Sequence, residues 1–175
     1  YDLVENLLFI TRIENGTMQL NLQPEMIEDI FREAIHHLGR NKRKHNISMH
    51  LEDDLLMANM DARLIIQVLV NLINNAIKYT PENSNISLNA RRVEDKILIE
   101  VQDDGNGVLH PEQLFEMFYT ENNRGGDTRR GMGLGLSLCK SIIQSHGGTI
   151  WVENVTPHGA CFKFVLDAVE VKLYE

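Results

Sequence analysis

Apolar positions along this chain switch repeatedly between a helical period and a strand period, and the switches divide it into elements. Leu3, Val4, Leu7, Leu8 and Ile10 recur at helical spacing from the first residues. Asn15-Gly16, a pair that tolerates left-handed backbone, predicts that this helix stops near Glu14. Met18, Leu20 and Leu22 alternate with polar residues, which predicts a strand over 17–23. Pro24 suits the first turn of a second helix carrying Met26, Ile27, Ile30, Phe31, Ala34 and Leu38. The basic run at 40–45 predicts a solvated turn. Alternation resumes over 47–51 as a strand, and Asp61 is placed to cap an amphipathic helix that continues to Tyr79 and closes at Thr80-Pro81. Strands are predicted over 86–93 and 96–103, joined by a tight turn at Glu94-Asp95. Residues 105–131 are loop-rich with a short helix over 112–118, and a longer helix over 133–145 ends at Gly147-Gly148. Strands over 149–154 and 160–166 complete the pattern. Mixed hairpin and helical connections of this kind predict an α+β fold, one mixed sheet with helices on one face.

Composition narrows the class. The 175 residues, 43% hydrophobic and 24% charged, fit one soluble globular domain of ordinary size. A net charge of −8 excludes a general nucleic-acid binder, whose affinity rests on neutralising phosphates. Cys139 and Cys161 lie far apart and outside any CxxC pair, so neither a disulfide framework nor a zinc site is supported, and a reducing compartment fits. The longest apolar stretch, 64–73, is interrupted by Gln67 and Asn71 and is too short to span a bilayer. Membrane attachment is therefore expected only through regions outside this chain. Tyr1 stands where an initiator Met would, and helical spacing begins at once, which reads as a fragment of a longer protein.

Three groups of residues carry candidate chemistry. Asn71, Asn74, Asn75 and Lys78 share one face of the long helix, opposite Leu69, Leu72, Ile73 and Ala76. Amide oxygens are hard ligands suited to magnesium, and lysine is a point-charge partner for phosphate, although the same stripe also describes an ordinary wet helix face. Asp103-Asp104-Gly105-Asn106-Gly107 sets a carboxylate at a strand end beside a tight glycine turn. Such a carboxylate accepts a hydrogen bond from an exocyclic amine such as that of adenine; a simple acidic turn is the plainer alternative. Gly131-Met132-Gly133-Leu134-Gly135-Leu136 directly precedes a helix, where freed backbone N–H groups form an anion site, or else a flexible hinge. It is not a dinucleotide fingerprint, since it follows a loop and Leu136 stands in place of the third glycine, and no GxxxxGK[ST] is present.

In that order the three groups resemble the N, G1 and G2 boxes of the GHKL ATPase/kinase superfamily, which includes gyrase, heat-shock chaperones and histidine kinases. The resemblance covers about residues 17–166. It implies the Bergerat fold, a two-layer α/β sandwich that binds ATP beneath a mobile lid. By that resemblance Asn75 holds magnesium, Lys78 contacts phosphate, and Tyr79 lies near the ribose or the lid. Asp103 binds the adenine amine, with Gly105 and Gly107 shaping the pocket, while Gly131, Gly133 and Gly135, with Leu134 and Leu136 between and after them, wrap the phosphates. Leu114 to Tyr119 looks like the F box that anchors the lid reaching to Arg130, and Tyr119 joins the nucleotide-contacting set.

Asn71 separates two activities within the superfamily. Hydrolytic members place a glutamate one helical turn before the magnesium asparagine, and here an amide without useful basicity stands there. Phosphoryl transfer to a histidine, itself a good nucleophile, needs less help, so Asn71 and Lys78 are the expected catalytic residues of a kinase. Residues 7–16 resemble the end of the second dimerisation helix of sensor histidine kinases, and with residues 148–154 look similar to the potassium-responsive subfamily. The implied division is 1–16 as the remnant of that helix and 17–175 as the ATP-binding kinase domain. The implied partners are the protein's own dimerisation domain, as a homodimer, and a response-regulator receiver domain. The alternatives are a nucleotide-binding regulatory module without turnover and a GHKL-type ATP hydrolase.

The sequence departs from the family pattern in three places. None of the seven histidines has the context of a phosphoacceptor; His36 and His37 read as surface groups, and His146 as a packing or capping residue. Thr120 stands where the lid commonly has arginine, with Arg124, Arg129 or Arg130 as replacements. Met132 takes the place of a frequent threonine. Residues 122–128 are polar and glycine-containing, and are predicted to be mobile without nucleotide.

Overall fold

The computed structural model describes residues 2–117, 119–120 and 135–169, except for the side chains at 2–3 and 41–43. Their order is α1 (Asp2–Glu14), β1 (Gln23–Met26), α2 (Ile27–His37), a 3-10 turn (Gly39–Lys44), β2 (Asn46–Leu51) and β3 (Met57–Met60). Then follow α3 (Ala62–Lys78), β4 (Asn85–Val93), β5 (Lys96–Asp103), α4 (Gly135–Ser145), β6 (Ile150–Asn154) and β7 (Ala160–Asp167).

Five strands form one sheet in the order β2-β4-β5-β7-β6, with β2 and β4 parallel and the other neighbours antiparallel. The period-2 pattern becomes rows across this sheet. Leu88, Val101, Phe162 and Val152 are successive partners and all buried. Asn89, Glu100, Lys163 and Trp151, one position along, face the other way, and Lys163 pairs with Glu153 at 2.9 Å. One face is therefore apolar and carries the helices; the other is polar. That is the predicted α+β arrangement.

α3 packs against α2, α4, β4 and β5. Being surrounded, it buries more than a stripe: Leu64, Ile65, Val68, Leu69, Leu72, Ile73 and Ala76 are all in the core. Each large side chain among them contributes about 1.5–3 kcal/mol of burial before entropic costs. α1 ends as predicted, with Gly16 at φ +67°, and packs on α4 through Ile10.

Several expectations need correction. The strand near the N-terminus is Gln23–Met26, not 17–23, and Pro24 lies in it opposite Asn59 of β3. A two-stranded ribbon tolerates proline because both its strands are edges. Met26 is still extended and the Ile27 N–H donates to the Leu56 carbonyl, so α2 starts only there. Met18 and Leu20 reach the core without strand partners, while Leu22 is exposed. β3 was not predicted; at four residues it is too short for periodicity to register. Residues 111–117 form successive turns and not a helix, held by Gln113 N–H to His110 and Glu116 N–H to Gln113 carbonyls. Packing anchors them instead, with Phe115 edge-on to Phe162 at 6.1 Å. The basic run is a 3-10 turn whose last neighbour, His45, is only half exposed.

Candidate nucleotide site

The polar stripe on α3 is half-buried along its whole length, at Asn71, Asn74, Asn75 and Lys78. That is unlike a solvated helix face, and each member has a particular setting. Across the seam between α3 and α4 the Cys139 thiol donates to the Val68 carbonyl at 3.8 Å, with Asn71 near enough to bear on its titration. Burial pushes that thiol up to about 12, outweighing the Asn71 contact, which acts in the opposite direction. Asn75 has its side-chain nitrogen buried and without a hydrogen-bond partner. Buried amide groups are nearly always satisfied, so an orphan here marks a place built for something besides packing. Lys78 lies with its Nζ 5.3 Å from the Tyr79 ring centroid, and Tyr79 ends the helix by donating its N–H to Asn75.

At the end of β5 the chemistry is tightly fixed. Asp103 is 3% exposed and pairs in register with Ile86. Its Oδ1 accepts the N–H groups of Gly105, at 2.9 Å, and Ala160, at 3.2 Å. Those two bonds hold the carboxylate plane and leave Oδ2 outside their reach. Asp104 turns elsewhere, taking both the backbone N–H and the side-chain amide of Asn85. The adjacent carboxylates thus serve different ends: one ties the start of β4 to the end of β5 and one is buried at the turn.

Glycine is demanded around Asp103 by close approach. A Cβ on Gly105 would lie 2.8 Å from the Thr80 methyl, which joins the turn to the end of α3. Gly107 has φ +80°, and a Cβ there would lie 2.5 Å from Oδ1 of Asn154. Gly159, at φ +123°, passes so near that a Cβ would be 2.2 Å from the Asp103 carbonyl oxygen.

The structure therefore brings Tyr79 and Thr80, which close α3, next to Gly105 of the Asp103 turn, with Asn71, Asn75 and Lys78 along the preceding turns of the same helix, and packs α3 on α4. Gly135 and Leu136 begin α4, both half-buried, and a Cβ on Gly135 would meet nothing within 4 Å. Tyr119 is half-buried against the core. Thr120 is among the described residues. Gly131, Gly133, Leu134, Met132, the predicted lid residues 122–128, and Arg124, Arg129 and Arg130 lie outside them. Thr80, Asn154, Gly159 and Ala160 were not singled out from the sequence, and they touch the turn only because α3, β6 and β7 converge on it. No motif spacing signals that.

Among the described residues no group of three His, Cys, Asp or Glu side chains is placed to hold a metal. A magnesium ion here fits the donor set only in one form, bound mainly through nucleotide phosphates with an amide oxygen such as that of Asn75. The Asn75 atom left without a partner is the nitrogen, which only donates and does not itself mark a metal ligand.

The family model described as "Histidine kinase-, DNA gyrase B-, and HSP90-like ATPase" matches residues 60–170. The chain is 35% identical over 164 residues to the sensor protein KdpD of Clostridium acetobutylicum, covering 93% of this chain and 18% of that protein. It is 35% identical to the adaptive-response sensory kinase SasA of a Synechocystis species, covering 94% of this chain and 44% of the relative. The chain thus spans less than half the length of these curated relatives. Among solved structures, the nucleotide-free catalytic domain of histidine kinase ThkA superposes with a TM-score of 0.73 at 29% identity, covering 86% of this chain and 96% of that one. ThkA in complex with the response regulator protein TrrA gives 0.74 at 26%, covering 96% of this chain and 48% of that one.

Proposed function

The chain belongs to the histidine kinase-, DNA gyrase B- and HSP90-like ATPase family, and from that membership we propose a specific activity. It binds ATP with magnesium and passes the γ-phosphate to a histidine on a separate dimerisation domain. The observation that carries this reading is Asp103, a buried carboxylate whose orientation is fixed by two backbone N–H groups at the mouth of a glycine turn. A carboxylate held that way is preorganised to accept the adenine amine, and a glycine-lined approach leaves room for a planar base.

Each residue has a distinct task. Asp103 sets the position of the base and therefore of everything attached to it. Lys78 supplies positive charge beside the phosphates, and Asn75 offers an amide oxygen to the metal. Gly135 and Leu136 present backbone N–H groups at the start of α4, and the proposed phosphate contacts extend to Gly131, Gly133 and Leu134 of the same glycine cluster. Magnesium, when bound, neutralises charge on the β- and γ-phosphates. An imidazole nitrogen of the acceptor attacks the γ-phosphorus in line, the bond to the bridging oxygen breaks, and ADP leaves. Asn71 has no basicity to activate water, so hydrolysis is disfavoured while transfer to a ready nucleophile proceeds.

Residues 1–16 are proposed as the end of the dimerisation helix and 17–175 as the kinase domain, in a homodimeric cytoplasmic kinase whose membrane attachment lies outside this chain. The downstream partner is a response-regulator receiver domain. A potassium-linked stimulus is proposed from the resemblance of residues 7–16 and 148–154 to the potassium-responsive subfamily, beside the likeness to two KdpD sensor proteins at 35% and 33% identity. A second reading, nucleotide binding without turnover, is favoured by Thr120 in place of a lid arginine.

One experiment separates them. A magnesium complex of a nonhydrolysable ATP analogue is titrated calorimetrically into wild type and Asp103→Ala, and labelled ATP is then used in single turnover with an added dimerisation domain. Binding lost in Asp103→Ala together with label on the acceptor histidine is the expected result. Binding without label favours the regulatory reading, and steady phosphate release without acceptor would restore the hydrolase.

A further inference from the structure

We propose that His45, a residue outside every nucleotide-binding motif, is a positioning residue for the adenine end of the site, acting through Thr80. The proposal rests on the reading of Asp103 as the adenine-binding carboxylate.

The chemistry of the contact fixes its direction. Thr80 is 7% exposed, and its hydroxyl donates to the Ala76 carbonyl at 2.7 Å. A hydroxyl has one hydrogen, and a carbonyl only accepts. The second contact of that oxygen, to Nε2 of His45 at 2.8 Å, must then be donated by the ring. The ring hydrogen therefore sits on Nε2. Nδ1 is buried and makes no hydrogen bond, so the Thr80 contact is what orients the imidazole.

The consequence falls on the turn at Asp103. A threonine next to a helix end has competing rotamers, because hydroxyl and methyl are close in size and back-bonding to the preceding turn is only one option. With both hydrogen bonds made, the hydroxyl is held away from the turn and the methyl lies against Gly105, where a Cβ would approach within 2.8 Å. The same hypothetical Cβ would be 3.2 Å from Oδ1 of Asp103. His45 thus acts one residue removed from the carboxylate. It selects the Thr80 rotamer whose methyl sets how closely the Asp103–Gly105 turn approaches α3.

His45 is itself held for the task. It sits between the 3-10 turn and β2, a junction stitched to the segment that follows Thr80. Asn46 donates its N–H to Ser84 at 3.0 Å and its side-chain amide to Asn83 at 3.3 Å. Lys44 pairs with Glu82 at 3.0 Å. These contacts carry His45 to Thr80 along a parallel strand pair, β2 with β4, that begins at Asn46 and Asn85.

The test compares wild type, Asp103→Ala, His45→Ala, His45→Gln and Thr80→Val by calorimetry with the magnesium complexes of ATP, GTP and tripolyphosphate. Losing one ordinary hydrogen bond predicts about tenfold weaker ATP binding in His45→Ala and a narrowed ATP-to-GTP ratio, with tripolyphosphate affinity unchanged. His45→Gln, whose amide N–H takes the place of Nε2–H, restores the ratio. Thr80→Val keeps the shape and removes the hydroxyl, so it reproduces the loss, and it stands in if His45→Ala does not fold. If wild type binds and Asp103→Ala does not, yet both His45→Ala and Thr80→Val match wild type, the inference is overturned while the adenine reading stands. A uniform loss over ATP and tripolyphosphate overturns it equally, since that marks general destabilisation. If Asp103→Ala binds ATP like wild type, the adenine reading fails and takes this inference with it.

Discussion

The backbone N–H of Asp61 donates to Nε2 of His146 at 3.0 Å, joining the start of α3 to the residue that follows α4. Nδ1 of the same ring faces the Ile142 carbonyl at 2.8 Å, so the ring hydrogen sits on Nδ1 and Nε2 is a bare acceptor. The first N–H groups of a helix have no partner within it, and here a ring from another helix meets the one just ahead of α3. Asp61 occupies the N-cap position as predicted but does not cap with its side chain; its carboxylate accepts the Asn21 N–H at 3.2 Å. His146 both packs and caps.

This bond predicts a pH dependence. Burial holds the His146 pKa below its ordinary value of 6.5, with smaller opposing effects from the Ile142 carbonyl and Asp61. The unfolded chain then takes up the proton first, so stability is full above that ordinary value and falls as pH drops through it toward the folded value. Melting temperature measured from about pH 7.5 down to about pH 5 is expected to decline over that window. His146→Gln, whose side-chain oxygen accepts from Asp61 without titrating, removes that part of the slope. Identical slopes in the two proteins would sink the argument.

Asn154 predicts a second effect. Its Oδ1 accepts the Val108 N–H at 2.7 Å and its Nδ2 donates to the Val108 carbonyl at 2.9 Å, a reciprocal pair that clamps the glycine turn to β6. Asn154→Asp keeps the acceptor, loses the donor and sets a charge against a carbonyl. A loss of about 1–3 kcal/mol in urea unfolding is expected. Gly107→Ala strikes the same clamp from the other side, with φ +80° and a Cβ 2.5 Å from Oδ1. Combined with Asn154→Ala it should cost less than the sum of the two separate changes, because the colliding atom is gone. Additive costs would mean that the glycine is needed for its backbone angle alone.

What could be read in advance follows from the range of the forces involved. β4, β5, α3 and β7 are long enough for periodicity to accumulate, and their ranges matched within a residue or two. β3 and β1 are defined by pairing with each other, which no local pattern encodes. Among the candidate site residues, Asn75, Asp103 and the glycines are marked out in the sequence by type and spacing. Thr80 and Asn154 do not, because a threonine before proline and an asparagine ending a strand are common; only convergence of α3, β5 and β6 gives them partners. His45 was hidden by its neighbours: a basic run reads as solvated, and the one uncharged-capable ring in it is the residue that turns inward.

Both thiols are expected to be inert in the native protein. Burial pushes Cys139 up to about 12, and Cys161 reaches about 12 through burial and then its contact with Glu100, which lies 3.3 Å from the sulfur. Thiolate is the reactive form, so at pH 8 almost none is present in either. A disulfide reagent should modify neither cysteine under native conditions and both after denaturation. Rapid labelling of one thiol in the folded protein would show that its neighbourhood opens well below the global unfolding free energy.

The last prediction concerns α1. Ile10 is 1% exposed and lies in the same core as α4, whereas Leu8 on the same helix is 53% exposed. If α1 is an integral part of this domain, Ile10→Ala leaves a cavity at the α1–α4 seam and costs about 2–4 kcal/mol, within the range for buried large-to-small changes. Leu8→Ala, which removes a similar volume from an exposed position, should stay within about 0.5 kcal/mol. Chemical denaturation of the two variants reads the difference directly, and only the first should lower the midpoint at unchanged slope. Equal and small effects would mean that α1 swings free of α4 in solution. The first result would make α1 and the end of the domain proposed to bind phosphate one mechanical unit, because α4 begins at Gly135, where the glycine cluster ends.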